Sequence, residues 1–149
     1  MKKLVLVAVV LLALGVTALG IAAGAAKPYL VSATLTPGAD VPKPVGAPNA
    51  KGAFTGTYVE NTKGGKFTWK LSYTALTGPA MAAHIHTGKP GVSGPVTVPL
   101  CGPCTSGKTG TVQISKAVIT SLESGNSYVN VHTAKNPAGE IRGQVKVKG

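Results

Sequence analysis

From Tyr29 onward, apolar side chains recur at every second position in short runs, and turn residues separate the runs. The clearest run spans 67–75: Phe67, Trp69, Leu71, Tyr73 and Ala75 fall on one face, and Thr68, Lys70, Ser72 and Thr74 on the other. Period two is the signature of a strand with one buried and one wet face. The same reading predicts strands over 29–35, 53–60, 81–86, 95–100, 109–115, 127–133 and 140–147. In the last of these, Ile141, Val145 and Val147 point inward and Arg142, Gln144, Lys146 and Lys148 outward. The Asn61–Gly65 turn predicts a hairpin between two of these strands. Residues 37–52 hold four prolines and three glycines and read as a loop. Over 116–124 the spacing of Val118, Ile119 and Leu122 changes to helical, and Gly125 follows as a stop. About eight short strands with one short helical turn predict an all-β chain, an antiparallel β-sandwich or flattened barrel.

The first 26 residues follow a different rule. Lys2 and Lys3 precede an unbroken apolar or small-residue run from Leu4 to Ala26, which contains Ala23-Gly24-Ala25. A positive start, an apolar stretch and an A-x-A site make a secretory signal over residues 1–25, leaving one domain over 26–149. Left uncleaved, the run is long enough to anchor the chain in a membrane. An extracytoplasmic address, periplasmic or secreted, changes the reading of charge. The chain carries 15 Lys and Arg against 4 Asp and Glu, and without residues 1–25 its formal charge is +9. Outside the cytoplasm such a chain meets envelope or extracellular polymers rather than a genome. The lysines form no basic run and aromatic residues are few (5%), so specific nucleic-acid binding is not expected. Four carboxylates also argue against two-carboxylate chemistry.

The chain's three histidines supply the candidate chemistry. His84 and His86 leave the same face of a predicted strand, while Ala83 and Ile85 leave the other. His132 shares its parity with Tyr128 and Asn130, against Val129, Val131 and Thr133. Each imidazole therefore stands on the face opposite its strand's aliphatic residues. If the two strands are neighbours, three imidazoles converge, enough for copper or zinc, with Glu140 as a fourth or supporting ligand. The competing reading is a hydrogen-bonded network of His84, His86, Tyr128, Asn130, Glu140 and Arg142 that fastens strands without a metal. Cys101-Gly102-Pro103-Cys104 spells a redox tetrad, but the turn-rich sequence after it offers no helix to stabilise a thiolate. A local Cys101–Cys104 disulfide is the plain reading at an oxidising address, and half of a zinc site is the other.

Three segments in order resemble one family: Ala83-His84-Ile85-His86-Thr87-Gly88, then Gly125 to Thr133, then Pro137-Ala138-Gly139-Glu140-Ile141-Arg142-Gly143-Gln144. They are similar to the CHRD domain, named after chordin and found in exported bacterial proteins. The stretch Leu35–Gly52, with Asp40 before Val41-Pro42, resembles the family's opening. The resemblance implies an extracellular β-sandwich of immunoglobulin-like or superoxide-dismutase-like type, a binding or structural module with an envelope or extracellular partner. It implies no established catalysis. H-x-H with a distant third histidine is also similar to the copper half of Cu/Zn superoxide dismutases. The bridging His-rich loop of those enzymes has no counterpart here, which argues against dismutase-type oxidoreductase activity and leaves a single metal site.

Overall fold

A computed structural model describes residues 26–149. The leader expected over 1–25 lies outside the described residues. Among the described residues, nine strands form two antiparallel sheets. The first, in order β6-β3-β2-β1-β9, is built from β1 (Tyr29–Leu35), β2 (Lys51–Asn61), β3 (Gly64–Thr74), β6 (Lys108–Ser115) and β9 (Lys146–Lys148). The second, in order β5-β4-β7-β8, contains β4 (Ala80–Thr87), β5 (Val96–Cys101), β7 (Ser127–Thr133) and β8 (Ile141–Gln144). The expected sandwich is therefore the architecture observed. No described helix is long and apolar enough to cross a membrane.

Alternation builds the core. Leu35, Phe54, Tyr58, Phe67 and Leu71 face inward from the five-stranded sheet and meet Ala83, Ile85, Val129, Val131 and Ile141 from the other, all fully buried. Burying a side chain of the size of Phe54 or Phe67 stabilises by about 1.5–3 kcal/mol. The hairpin β2–β3 closes as expected, and Asn61 Oδ1 accepts a hydrogen bond from the Lys63 amide at 2.9 Å within the turn. The helical segment is α1 (Lys116–Glu123). Ser115 caps its start by accepting from the Val118 amide, and Gly125, with φ 70°, ends it. Its buried Ile119 and Leu122 close one end of the sandwich.

Besides shifts of one to three residues at other strand ends, two departures from the pattern redirect the chain. The strand expected to reach Ala75 stops at Thr74, because Ala75 turns left-handed (φ 56°) and sends the chain to the other sheet. The strand expected over 140–147 is two strands: β8 pairs with β7, whereas β9 pairs with β1. The chain changes sheets at Val145, whose amide donates to Ser127 O at 2.9 Å. Just before the change, Thr36 and Arg142 exchange backbone hydrogen bonds and the backbones crowd. A Cβ on Gly143 would lie 2.3 Å from the Thr34 carbonyl oxygen. Period two alone carries no mark of such a crossing.

Candidate metal centre

The outer face of the four-stranded sheet carries the histidines. In the β4–β7 register His86 stands opposite Tyr128, His84 opposite Asn130 and Ala82 opposite His132. On the other side of β7, Arg142 stands opposite Asn130 and Gln144 opposite Tyr128. Adjacency of β4 and β7 was the condition for convergence, and it holds. This face is not wet, however. The 37–50 loop reaches it through Asp40, the 88–95 segment through Gly94 and the 134–140 turn through Pro137. Arg142, placed outward by its parity, keeps that direction but is 1% exposed beneath those loops. Tyr128, Asn130 and His86 are buried with it, while His84 and His132 keep partly open edges.

The three rings meet. Ring centroids are 5.0 Å apart for His84–His132, 5.6 Å for His84–His86 and 5.7 Å for His86–His132. One ring nitrogen from each lies within 4.8 Å of the others. Hydrogen bonds identify those nitrogens. A carbonyl can only accept, so His86 Nδ1–H donates to Gly94 O (2.9 Å) and His132 Nδ1–H to Pro137 O (3.1 Å). Both rings thus keep an Nε2 lone pair for another partner. His86 Nε2 is buried with no partner at all, and His132 Nε2 faces His84 Nδ1 at 3.2 Å. Nitrogens held about 2.0–2.1 Å from a tetrahedral ion stand about 3.3 Å from one another, the spacing of this one pair, while the set as a whole lies within the looser limit of 4.8 Å. The cluster can hold a metal ion.

Electrostatics favour the neutral, ligating form. Burial pushes His132 down to about 4, reinforced by His84 and His86 and opposed only by its bond to Pro137 O. His84 is lowered as well, by burial first and then by His86. At neutral pH neither ring carries a second proton that ligation would have to displace.

A polar layer supports the rings. Tyr128 stacks on His86 (4.9 Å between centroids, 10° between planes), and the Arg142 guanidinium carbon lies 3.4 Å from the Tyr128 ring centroid on a cation–π contact. The Tyr128 hydroxyl accepts from the Gly94 amide at 3.0 Å, so one residue orients both members of the stack. Only glycine fits there, since a Cβ on Gly94 would run into the Thr87 carbonyl. Arg142 Nη2 donates to Lys89 O, and Asn130 Nδ2 donates to Asp40 Oδ1 and Ala138 O. Burial raises the Asp40 carboxyl above the usual range despite hydrogen bonds from Val41 and Asn130 and the nearby charge of Arg142. Among the described residues, four buried side-chain polar atoms have no partner: His86 Nε2, Asn130 Oδ1, Asp40 Oδ2 and Arg142 Nη1. All four belong to this layer.

Glu140 occupies a different place from the one its sequence position led us to expect. It is fully buried, and its carboxylate accepts from the Thr77 amide (2.6 Å), the Thr77 and Thr133 hydroxyls and Asn136 Nδ2 (2.9 Å). None of these bonds runs to an imidazole. It instead ties together Thr133 and Asn136, in the turn that carries the Pro137 carbonyl. Burial would raise its pKa, but the hydrogen bonds from Thr133, Thr77 and Asn136 prevail and hold it below the usual value. Parity gave no sign of Thr77, Asn136 or the Gly94 and Pro137 carbonyls, because loops supply them. Asp40 was visible only as a residue of the opening motif. The cysteines form the expected Cys101–Cys104 disulfide, which spans three residues and closes the end of β5.

No curated protein and no solved structure matched the chain. The CHRD domain matches residues 31–145, which include every residue of this site. The protein is a member of the CHRD domain family.

Proposed function

We propose that this chain is an exported binding module that takes up a copper or zinc ion through His84 Nδ1, His86 Nε2 and His132 Nε2. The observation that carries the reading is the buried, unpartnered His86 Nε2 beside two more imidazole nitrogens, with both Nε2 lone pairs freed by backbone carbonyls. Leaving a buried acceptor unmatched costs about 1–3 kcal/mol, and a ligated ion removes that cost. Imidazole suits both metals, and a three-histidine set leaves a position for an outside ligand. The partly exposed edges of His84 and His132 mark the side from which such a ligand would come. The local disulfide supports an oxidising address.

A second reading rests on the 3.2 Å contact between His84 and His132: the rings are fastened to each other and no metal is taken up. Calorimetric titration with Cu²⁺ and with Zn²⁺ separates the two. Wild-type protein is expected to bind one equivalent of at least one metal, and H84A/H86A/H132A to lose that binding. Equal heats from both proteins would establish the fastening network instead.

A further inference from the structure

The five-stranded sheet also has an outer face, on the far side of the sandwich from the histidines. Lysines dispersed along the sequence gather there. The inward parity of Phe67, Trp69 and Leu71 turns Lys66 and Lys70 outward on β3. Lys146 and Lys148 flank Val147 on β9, and Lys51 begins β2. All five are exposed. The cross-strand register orders them. Lys146 stands beside Ser32, Ser32 beside Thr55 and Thr55 beside Lys70, while Lys148 stands beside Leu30 and Leu30 beside Thr57. Two walls of long basic side chains, on β3 and β9, thus border a floor on β1 and β2 in which Ser32, Thr55 and Thr57 lie beside Leu30. The sheet order puts the walls three strand spacings apart, about 14 Å. A shallow concavity of about 720 Å³ occupies this face, lined by Lys70, Lys146 and Lys148 among others.

No acidic side chain offsets this charge. Asp40 and Glu140 are buried at the other sheet, Glu60 pairs with Lys116 at 3.3 Å, and Glu123 accepts from the Tyr58 hydroxyl at 2.6 Å. We propose that this lysine-walled trough is a docking site for a linear acidic polysaccharide, with ammonium groups on both sides meeting its anionic groups and Ser32, Thr55 and Thr57 meeting its hydroxyls. A trough with charged walls and a mixed floor of hydroxyls and aliphatic groups fits a single extended sugar chain, whose rings present both hydroxyls and C–H faces. A bilayer surface fits it less well, since among the described residues Leu30 and Val59 are the only large apolar side chains exposed on this face. A nucleic acid would want aromatic platforms, and Phe54, Tyr58, Phe67 and Trp69 all point into the core. The proposal does not depend on metal uptake, because the two faces are on opposite sides of the molecule.

The test measures binding of the purified protein to heparin and to polygalacturonate, with neutral dextran and phosphatidylglycerol vesicles as comparisons. Wild type is expected to bind at least one acidic polysaccharide, to release it as salt rises and to ignore dextran. K70Q/K146Q/K148Q is expected to bind about tenfold more weakly, the combined effect of three exposed ion pairs. K63Q/K89Q/K135Q, with the same loss of charge elsewhere, is expected to bind within about twofold of wild type. Lysine acetylation gives a readout that needs no variant: bound polysaccharide should protect Lys66, Lys70, Lys146 and Lys148 more than Lys63 and Lys89. No binding to either acidic polymer, equal weakening in both triple variants, uniform protection, or tighter binding to the vesicles would each overturn the proposal.

Discussion

Glu140→Gln isolates the contribution of the buried carboxylate while keeping its shape. The wild-type side chain only accepts: Oε1 takes the Thr77 amide, and Oε2 takes the Thr77 hydroxyl, the Thr133 hydroxyl and Asn136 Nδ2. Glutamine replaces one acceptor by an NH₂ donor. With that group toward Asn136, two amide donors face each other; flipped, it meets the Thr77 N–H. The two hydroxyls can rotate to accept, but neither of those N–H groups can. At least one buried donor is therefore left unmatched, at about 1–3 kcal/mol, and the surviving bonds lose their charge assistance. A destabilisation of about 2–4 kcal/mol follows, a large share of the roughly 5–15 kcal/mol that holds a domain together. Urea unfolding should show a lower midpoint with an unchanged m-value. Because the same turn presents Pro137 O to His132 Nδ1, metal affinity should fall about tenfold as well, the usual scale for a group acting behind a ligand. A midpoint within about 0.5 kcal/mol of wild type would refute the reasoning, since it would mean that the carboxylate's bonds are replaceable by water.

Two further predictions concern the folded state. The unfolded chain protonates His132 near its ordinary value of 6.5, whereas the folded site resists until about 4. Stability from this source is therefore intact above about pH 6.5 and declines as pH falls toward 4, by about 1–2 kcal/mol once partial exposure is discounted. Urea midpoints at pH 7 and pH 4.5 check this, and an equal decline in H132A would sink it. Reducing Cys101–Cys104 should lower stability by about 2 kcal/mol, the chain-entropy value for so short a loop, without unfolding the protein. A calorimetric scan with and without reductant measures it, and loss of the folded transition on reduction would contradict a merely local role.

Alternation made much of this molecule legible in advance. The strands at 29–35 and 127–133 have the expected limits, and the parity of His84, His86 and His132 placed all three rings on the correct face. That information is local, because a pleat fixes direction within a strand. The rest depends on what lies across a gap in sequence. Nothing near Val145 marks the change of sheet, since β8 and β9 read as one run and only the position of β1 divides them. Burial of Arg142 was equally invisible, because its cover comes from segments 90 or more residues earlier in the case of Asp40 and about 50 in the case of Lys89. The lysines of the opposite sheet show the same effect: residues 70 and 146 come to line one concavity only through the strand order.

The division of labour between strands and loops explains why the histidine site can be built so sparingly. Paired strands hold the Cα positions of His84, His86 and His132 rigidly, so the rings need little ordering to converge. Strand geometry does not choose a tautomer, however, and a mixed population would present a proton where a lone pair is required. The loops resolve this with backbone oxygens, Gly94 for His86 and Pro137 for His132, which no side-chain substitution can remove directly. His84 has no such carbonyl, so its Nδ1 proton, donated to His132 Nε2, would have to move to its own Nε2 for Nδ1 to ligate an ion. The unmatched polar atoms cluster beside these rings, while Glu140, a few residues from His132, has every bond it needs. A layer serving only to fasten strands would place its unmatched groups without regard to the imidazoles. Their concentration at His86, Asn130, Asp40 and Arg142 supports the proposed ion site over a purely fastening role.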